Sequence, residues 1–471
     1  RVDLRSIELF TIDGDDAKDL DDAVSLKMLE NGNYELGVHI ADVSYYVKEN
    51  TAIDKEAYNR GTSVYLVDRV LPMLPHKLSN GICSLNGGVD RFALSCIMEI
   101  NEKGDVVNYN VFPSVIKSKL RMTYKKVNDI LEKNIVDELY EPFANTLRNM
   151  KKLSDILREN KKRRGYIDFE IPEVKIIVDE KGKPIELSKR VQGTGEKLIE
   201  DFMIAANETV ATYINNMELP FIYRVHGEPS QEKLNNFLNF VSILGYKPTG
   251  KLKKSSPQSV QNLLNQLKDK PEFPIFSELL LRSMQKAVYS DTNIGHFGLG
   301  SECYTHFTSP IRRYPDTTVH RLLRTYIFEG HIDNYTVDAM NIKMPVIAEH
   351  TSEKEVDAIE CEREVDDMKM AEYMEDHIGE VYVGRISGVM NFGLFVELDN
   401  LVEGLIRIED LDDDFYIYDE ENYRLIGRKH HKQYRIGDNI KIIVKSASKA
   451  SKTIDFLIYK EEENGNTKQK S

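Results

Sequence analysis

The sequence predicts an α+β protein: a large domain with a β-rich start and a helical remainder, followed by a small all-β barrel. Three observations carry this. Alternating apolar runs with Gly-marked turns dominate Ser6–Ser118. Apolar stripes at helical spacing take over from Tyr124. After His377 short strands and frequent Gly return.

Taken in order, Ser6–Ile12 reads as a strand that ends at an acidic cluster. Ala23–Val47 reads as two strands around Asn31-Gly32, and Arg91–Ser118 as a hairpin turning at Lys103-Gly104. Between them "TSVYLVDRVLPMLP" is apolar and β-branched but broken by prolines. In Gly195–Asn216, Leu198, Ile199, Phe202, Met203, Ala206, Val210 and Tyr213 form one stripe, with Glu200 and Asn207 on its edge. Helical patterns recur at Gln231–Leu244, Gln258–Leu267, Phe276–Tyr289 and, highly charged, Ala348–Met374. The segment from His377 is expected to fold as an independent small barrel, and the tail "EEENGNTKQKS" to be disordered. There are no internal repeats.

The chain has 471 residues, 41% hydrophobic and 30% charged, which suits a large core and roughly two to four domains. A net charge of −14 argues against general polyanion binding. The charge is patchy, however: Lys117–Lys126 and Arg148–Arg164 are basic and Asp410–Glu421 is acidic, so a locally basic channel remains open. Cys83, Cys96, Cys303 and Cys361 are widely spaced and are read as free thiols in a reducing cytoplasm. No apolar run of about 18 residues and no signal peptide occur, so no membrane contact is expected. The first residue is Arg1, directly upstream of a strand-like segment, and the chain is expected to be a piece of something longer.

Two motifs carry chemistry. "IDGDDAKDLDDA" (Ile12–Ala23) crowds six Asp residues after a strand and around Gly14. If the loop curls, Asp13, Asp19, Asp21 and Asp22 can face one point, the oxygen-rich environment that hard divalent ions select. Two such ions about 3.5–4 Å apart suit phosphodiester cleavage. The EF-hand pattern does not fit, because its Gly and distal Glu are misplaced. A solvated acidic loop is the plain alternative. In "CYTHFTSPIRRYPD" (Cys303–Asp316), Thr308 and Ser309 suit an N-cap and Pro310 a first helical turn. That places Arg312 and Arg313 in the opening turn, where a phosphate would be bound, with Pro315 as a kink. Ordinary surface ion pairs are the alternative. "GTGEK" (Gly193–Lys197) lacks the full phosphate-loop spacing and reads as a loop before a helix. His39, His226, His296 and His306 read as isolated structural residues. Phe392 and Phe395 would share a face for base stacking only if Gly393 introduces a bulge; core packing is the alternative.

Together, "FTIDGDDAKDLDDAVSL" and "HFGLGSECYTHFTSPIRRYPDTTVHRLL" closely resemble the RNB domain of the ribonuclease II and ribonuclease R family, nearest to its ribonuclease R branch. "HIADVSYYV", "PMLPHKLSNGICSLN", "IEDFMIAANE" and "YRVHGEPSQEKL" fit the same pattern. The segment after His377 resembles the S1-like OB-fold that follows RNB in this family. The resemblance implies an RNB catalytic domain over 1–373, an S1-like RNA-binding domain over 374–459 and a polar tail over 460–471.

It further implies a processive 3′→5′ exoribonuclease that hydrolyses single-stranded RNA to nucleoside 5′-monophosphates with one or two Mg2+ ions, Mn2+ being a possible substitute. A cytoplasmic monomer that takes the RNA 3′ end is expected. Asp13, Asp19, Asp21 and Asp22 match the catalytic, metal-binding aspartates, with Asp15 and Asp16 peripheral. Asp13 and Asp22 match the principal ligands, and Asp21 the carboxylate on which the chemistry most depends. Arg312 matches the arginine that grips the scissile phosphate, with Arg313 and Glu362 as weaker counterparts. Tyr65 matches the aromatic that stacks on the 3′-terminal base, and Glu200 a helix acid near the terminal nucleotides. Phe392, Phe395 and Arg407 fall where such OB-folds bind single strands.

Three departures stand out. The family's preceding cold-shock OB-folds are not in this sequence. A second aromatic clamp is missing from "EVKIIVDEKG", where Ile176 stands near the place. The tail is shorter and less basic than is usual for the ribonuclease R branch. A non-catalytic RNA-binding module and a DNA nuclease with a similar metal site are the rival readings. The first should have lost one of the four aspartates, and none is lost.

Overall fold

The computed structural model describes residues 1–169, 171–247, 256–420 and 422–460. The expected disordered tail lies, but for Lys460, outside these residues. The first third holds strands β1 (Val2–Asp3), β2 (Thr11–Asp13), β3 (Asp22–Met28) and β4 (Tyr34–Ala41) and helices α1 (Val43–Tyr46) and α2 (Ala52–Arg60). It continues with the pair β5 (Val64–Tyr65) and β6 (Val70–Leu71), the hairpin β7 (Asp90–Ile100) and β8 (Val106–Lys117), and β9 (Arg121–Thr123). One five-stranded sheet, in the order β1-β8-β7-β4-β3, forms the base of this region. Both hairpin turns fall where Gly allows left-handed backbone, at Gly32 (φ 84°) and Gly104 (φ 82°). The strand expected from Ser6 begins only at Thr11, because β2 is fixed by its short parallel pairing with β9. The end of the segment to Val47 forms α1, capped by Asp42, whose carboxylate accepts from Tyr45 N–H.

Helices follow: α3 (Tyr124–Lys133) and α4 (Ala144–Arg164), then the hairpin β10 (Glu173–Val178) and β11 (Pro184–Arg190). Next come α5 (Thr194–Asn216), β12 (Tyr223–Val225), α6 (Gln231–Ile243), α7 (Pro257–Leu267), α8 (Phe273–Ser283) and β13 (Val288–Ser290). The region ends with α9 (Tyr314–Leu323) and the long α10 (Asn334–Glu375). The apolar stripe of α5 is buried against the main sheet in one large core. Three expectations shift. The helix expected through Tyr289 stops at Ser283, because Tyr289 pairs with Arg224 in the β12–β13 ladder. The charged helix starts well before Ala348, where Asp333 caps it by accepting from Thr336 N–H. The helix after Ser309 starts at Tyr314, so Arg312 and Arg313 precede it. Pro315 lacks an N–H and is tolerated only in a first turn, which fixes the start there.

Strands β14 (Val381–Met390), β15 (Gly393–Leu398), β16 (Glu403–Arg407), β20 (Asn439–Ser448) and β21 (Thr453–Ile458) close into a barrel. Its order, β14-β15-β16-β21-β20, is that of a five-stranded OB-fold. Between β16 and β20 sits a three-stranded sheet of β17 (Tyr416–Asp419), β18 (Arg424–Gly427) and β19 (Gln433–Arg435). The barrel packs against the helical region. Its interior, including Ile386, Leu394 and Phe456, belongs to one apolar cluster with Phe237, Leu263 and Phe276 of α6–α8. Cys83, Cys96, Cys303 and Cys361 are free. No helix among the described residues is long and apolar enough to cross a membrane.

Candidate active site and nucleic-acid interface

The acidic loop runs from the end of β2 to the start of β3. It curls because Arg121 of β9 donates to three of its carbonyls, those of Gly14, Asp15 and Ala17. Ser84 fixes its far side: its hydroxyl accepts from Leu20 N–H and donates to the Lys18 carbonyl. Asp15 and Asp16 point into solvent. Asp13, Asp21 and Asp22 turn inward.

The carboxylates differ in their surroundings. Asp21 is 5% exposed, and its Oδ1 accepts from Ile311 N–H at 2.8 Å. Its Oδ2 lies 4.0 Å from Arg312 Nε. Asp13 Oδ2 and Asp22 Oδ2 are buried with no hydrogen-bond partner. Burial raises all three carboxyl pKa values above the ordinary range. The charge of Asp22 raises Asp13 further, while Arg121 and Arg312 oppose the shift there and Arg312 opposes it at Asp21 and Asp22. Asp19 stands at the rim, where Tyr65 donates its phenol proton to Oδ2 at 3.0 Å.

The basic half arrives on the loop before α9. Arg312 is 43% exposed, and its Nη2 reaches Ser309 Oγ at 3.1 Å. The Arg312 carbonyl accepts from Ser63 N–H (2.9 Å) and from Thr62 Oγ1 (3.1 Å), while Tyr314 N–H donates to the Gly61 carbonyl. These bonds join the Arg312 loop to the segment that carries Tyr65. Tyr65 N–H in turn donates to Glu362 Oε1 of α10 at 2.7 Å, so Glu362 holds the Tyr65 backbone. Arg313 faces away from the aspartates. Its fork is taken by the fully buried Asp316 through Nε and Nη2, each at 2.8 Å, and Asp316 also accepts from Ser309 N–H.

Glu200 lies on α5 beside Tyr166 and Lys161, 3.7 Å from Lys161 Nζ. Asn207 is buried rather than shared with that edge: its amide N–H donates to Tyr304 Oη, and its oxygen accepts from Phe307 N–H. His226, His296 and His306 are not isolated. They form a chain of edge-on rings, His226–His296–Tyr304–His306, with successive centroids 5.0–5.7 Å apart, and burial depresses all three pKa values. His39 is buried between the Ser25 and Ser95 hydroxyls. In "GTGEK", Gly193 is the N-cap of α5, and its N–H donates to Glu196.

On the barrel, Phe392 is 48% exposed in the β14–β15 turn, and its ring packs edge-on against Phe395 at 5.9 Å. The rings meet because Phe392 precedes the strand. The bulge lies opposite, between Ile386 and Gly388, where Phe395 covers Gly388. Gly393 is required for another reason: a Cβ there would stand 2.2 Å from the Ile406 carbonyl oxygen. Arg407 pairs with Gly393 on the same outer face as Phe395, with Asp455 3.4 Å from its Nε.

Two residues at the aspartates carry no sequence signal: Arg121, which clasps the loop, and Tyr124, the first residue of α3. The Tyr124 phenol pKa is raised by burial and then by the charges of Asp22 and Asp13. Among the described residues no three His, Cys, Asp or Glu groups are already gathered tightly enough to hold an ion. The donors nevertheless fit a hard divalent cation. Two buried carboxylate oxygens without partners face a further acid, an uncompensated arrangement that a cation would resolve.

The sequence matches the RNB domain family over residues 1–329 and the S1 RNA binding domain family over 375–458. It is 51% identical over 457 residues to ribonuclease R 1 of Lactococcus lactis subsp. lactis (strain IL1403), covering 97% of this chain and 56% of that protein. It is 49% identical over 466 residues to ribonuclease R of Thermotoga maritima, covering 98% and 65%. The chain thus spans just over half to about two thirds of these relatives. The Mycoplasma genitalium RNase R structure in complex with ribose methylated single-stranded RNA superposes with a TM-score of 0.93 at 36% identity, covering 98% of this chain and 72% of that one. The likeness runs through both halves of the site and on into the barrel, and the chain belongs to the RNB family, of the ribonuclease R type.

Proposed function

We propose that this chain is the core of a metal-dependent 3′→5′ exoribonuclease that takes single-stranded RNA by its 3′ end and releases nucleoside 5′-monophosphates one after another. The observation that carries this reading is the uncompensated Asp13–Asp22 pair set against Arg312 inside an RNB domain. Asp13 and Asp22 would hold Mg2+, or Mn2+ in its place, with Asp19 and Asp21 close by for a second ion or a bound water. The cation, when bound, supplies charge neutralisation and Lewis-acid activation at the phosphate.

The protein's own groups do the rest. Arg312, whose side chain is 43% exposed and whose only carboxylate contact among the described residues is Asp21 at 4.0 Å, receives the scissile phosphate and stabilises its developing charge. Water adds to phosphorus and the P–O3′ bond breaks, leaving a 3′-hydroxyl on the shortened strand. Asp21 is poised beside Arg312 by the Ile311 N–H and is the carboxylate on which this step most depends. Tyr65 stacks on the terminal base, with its hydroxyl tethered to Asp19 and its backbone to Glu362. Glu200, held beside Lys161, would serve the terminal nucleotides as the helix acid, and Arg313 steadies the Arg312 loop from within. Phe392, Phe395 and Arg407 hold the strand upstream. The protein acts as a monomer in a reducing bacterial cytoplasm.

The test is a gel of 5′-labelled single-stranded RNA incubated with and without magnesium, beside a matched DNA. A magnesium-dependent ladder shortening from the RNA 3′ end is expected. Binding without cleavage would leave only an RNA-binding module, and equal cleavage of the DNA would overturn the substrate class.

A further inference from the structure

The insert β17–β19 presents a sheet face that the proposed site does not use. Tyr416 pairs with Gly427 and Leu425 with Tyr434, and Tyr416, Leu425 and Tyr434 are buried. Strand alternation therefore sends Phe415, Ile417, Arg424, Ile426, Arg428 and Arg435 to the outer side. Phe415 is 67% and Ile417 45% exposed. The Arg428 guanidinium lies 5.4 Å from the Phe415 ring centroid, and Arg428 N–H donates to the Phe415 carbonyl.

Charge on this face is arranged against its own stability. Arg424 and Arg435 are directly opposed across the β18–β19 ladder. Like charges so placed destabilise a sheet. Both forks turn to the Gln433 amide oxygen, and Asp419 compensates Arg424 at 2.8 Å. Among the described residues Arg428 and Arg435 have no carboxylate partner. Asp438, three residues beyond Arg435, accepts from its backbone N–H, and Asp414 is occupied by the backbone N–H groups of Phe415, Lys429 and His430, which shapes the exposed turn Lys429–Lys432. A cleft of about 370 Å³, lined by Arg424, Arg435, Tyr423 and Phe240 and also by Glu272 and Asp438, borders the face on the side of α6.

Exposed rings accept any unpaired base, and unpaired forks accept phosphate oxygens. A duplex hides its base faces and cannot use the ring. We propose that the outer face of β17–β19 is a second contact for single-stranded RNA, distinct from the Phe392–Phe395–Arg407 face. The proposal rests on the ribonuclease reading above.

The test compares the full chain with a variant carrying Phe415→Ala, Arg428→Glu and Arg435→Glu, all at solvent-exposed positions. Anisotropy in EDTA uses an unstructured RNA of about 30 nucleotides, longer than one OB-fold footprint of roughly 4–16. The variant's Kd is expected to rise about tenfold, and its salt slope to fall by about two, one for each lost phosphate contact. Phe415→Ala alone should raise Kd about fivefold with the slope unchanged. Magnesium-dependent hydrolysis of a short oligonucleotide should keep the wild-type rate in both variants. An unchanged Kd for the long RNA, or equal competition by blunt duplex, overturns the platform and leaves the nuclease reading standing. Failure of the wild-type chain to cut the short oligonucleotide would instead sink the nuclease reading.

Discussion

Buried carboxylates occur in two kinds here. Asp316, Asp42 and Asp201 each bring their own cation. Asp316 holds Arg313, Asp42 holds Arg1 and Arg324, and Asp201 holds Lys161 and Arg158. Burial alone would raise the Asp42 pKa, but Arg324 and Arg1 outweigh it and hold the carboxyl below the usual range. Asp13, Asp21 and Asp22 turn inward too, Asp13 and Asp22 less fully, yet the net shift is upward at all three. The contrast separates structure from chemistry. A carboxylate that only holds the fold is neutralised from within, whereas Asp13 and Asp22 each keep a buried oxygen without a partner, the feature on which the proposed cation site rests.

The contrast can be broken from either side. The largest effect is expected for Asp21→Asn, which should lower hydrolysis by roughly 10²–10³-fold or more while RNA binding persists, measured by single-turnover cleavage and anisotropy. Retained turnover would refute the assignment. Asp316→Ala strikes the self-neutralised kind. It leaves the Arg313 guanidinium buried without its partner and should cost about 3–5 kcal/mol, read by denaturant unfolding. A change within error would mean that Arg313 finds water and that the pairing is not what holds the loop.

Asp13→Asn should act in the opposite direction. Without divalent cations it is expected to stabilise the fold by roughly 1–3 kcal/mol near neutral pH. The folded-state pKa of Asp13 is raised. At low pH both folded and unfolded chains hold the proton and the variant gains nothing. As pH climbs through the ordinary carboxylate range, the unfolded chain releases its proton first, and the wild type alone loses stability. Thermal melts from about pH 4 to pH 8 check this. A variant no more stable at the upper end than at the lower would remove the contrast. The smallest effect is expected for Tyr65→Ala, which removes about 1–3 kcal/mol of stacking and should lengthen the final oligonucleotide product. An identical end product on a sequencing gel would count against terminal stacking.

Much of this was legible in the sequence because it is local. The Asn31-Gly32 and Lys103-Gly104 turns, the stripe of α5 and the acid run after β2 are written within short windows. What stayed hidden depends on partners far along the chain. Arg121 is one basic residue among several in its segment until β9 pairs with β2 and aims it at the loop carbonyls. Four histidines look scattered until β12, β13 and the turn after them bring three of the rings into one chain through Tyr304. Ser309 and Pro310 carry the local marks of a helix start, but Asp316 claims the Ser309 N–H and Pro315 sets the start four residues beyond Pro310. The barrel reads as a separate unit because its strands are short and punctuated. Only the packed structure shows that its interior is continuous with α6–α8.

The bond from Ile311 N–H to Asp21 closes a span of 290 positions. Contacts of such separation form late, because a long loop must close before they stabilise anything. During synthesis the acidic loop leaves the ribosome 290 positions before Ile311, and Tyr65 leaves it 297 positions before Glu362, so neither has its partner until that stretch has emerged. A nascent chain of this design carries its aspartates well before the Arg312 loop and α10 can close around them.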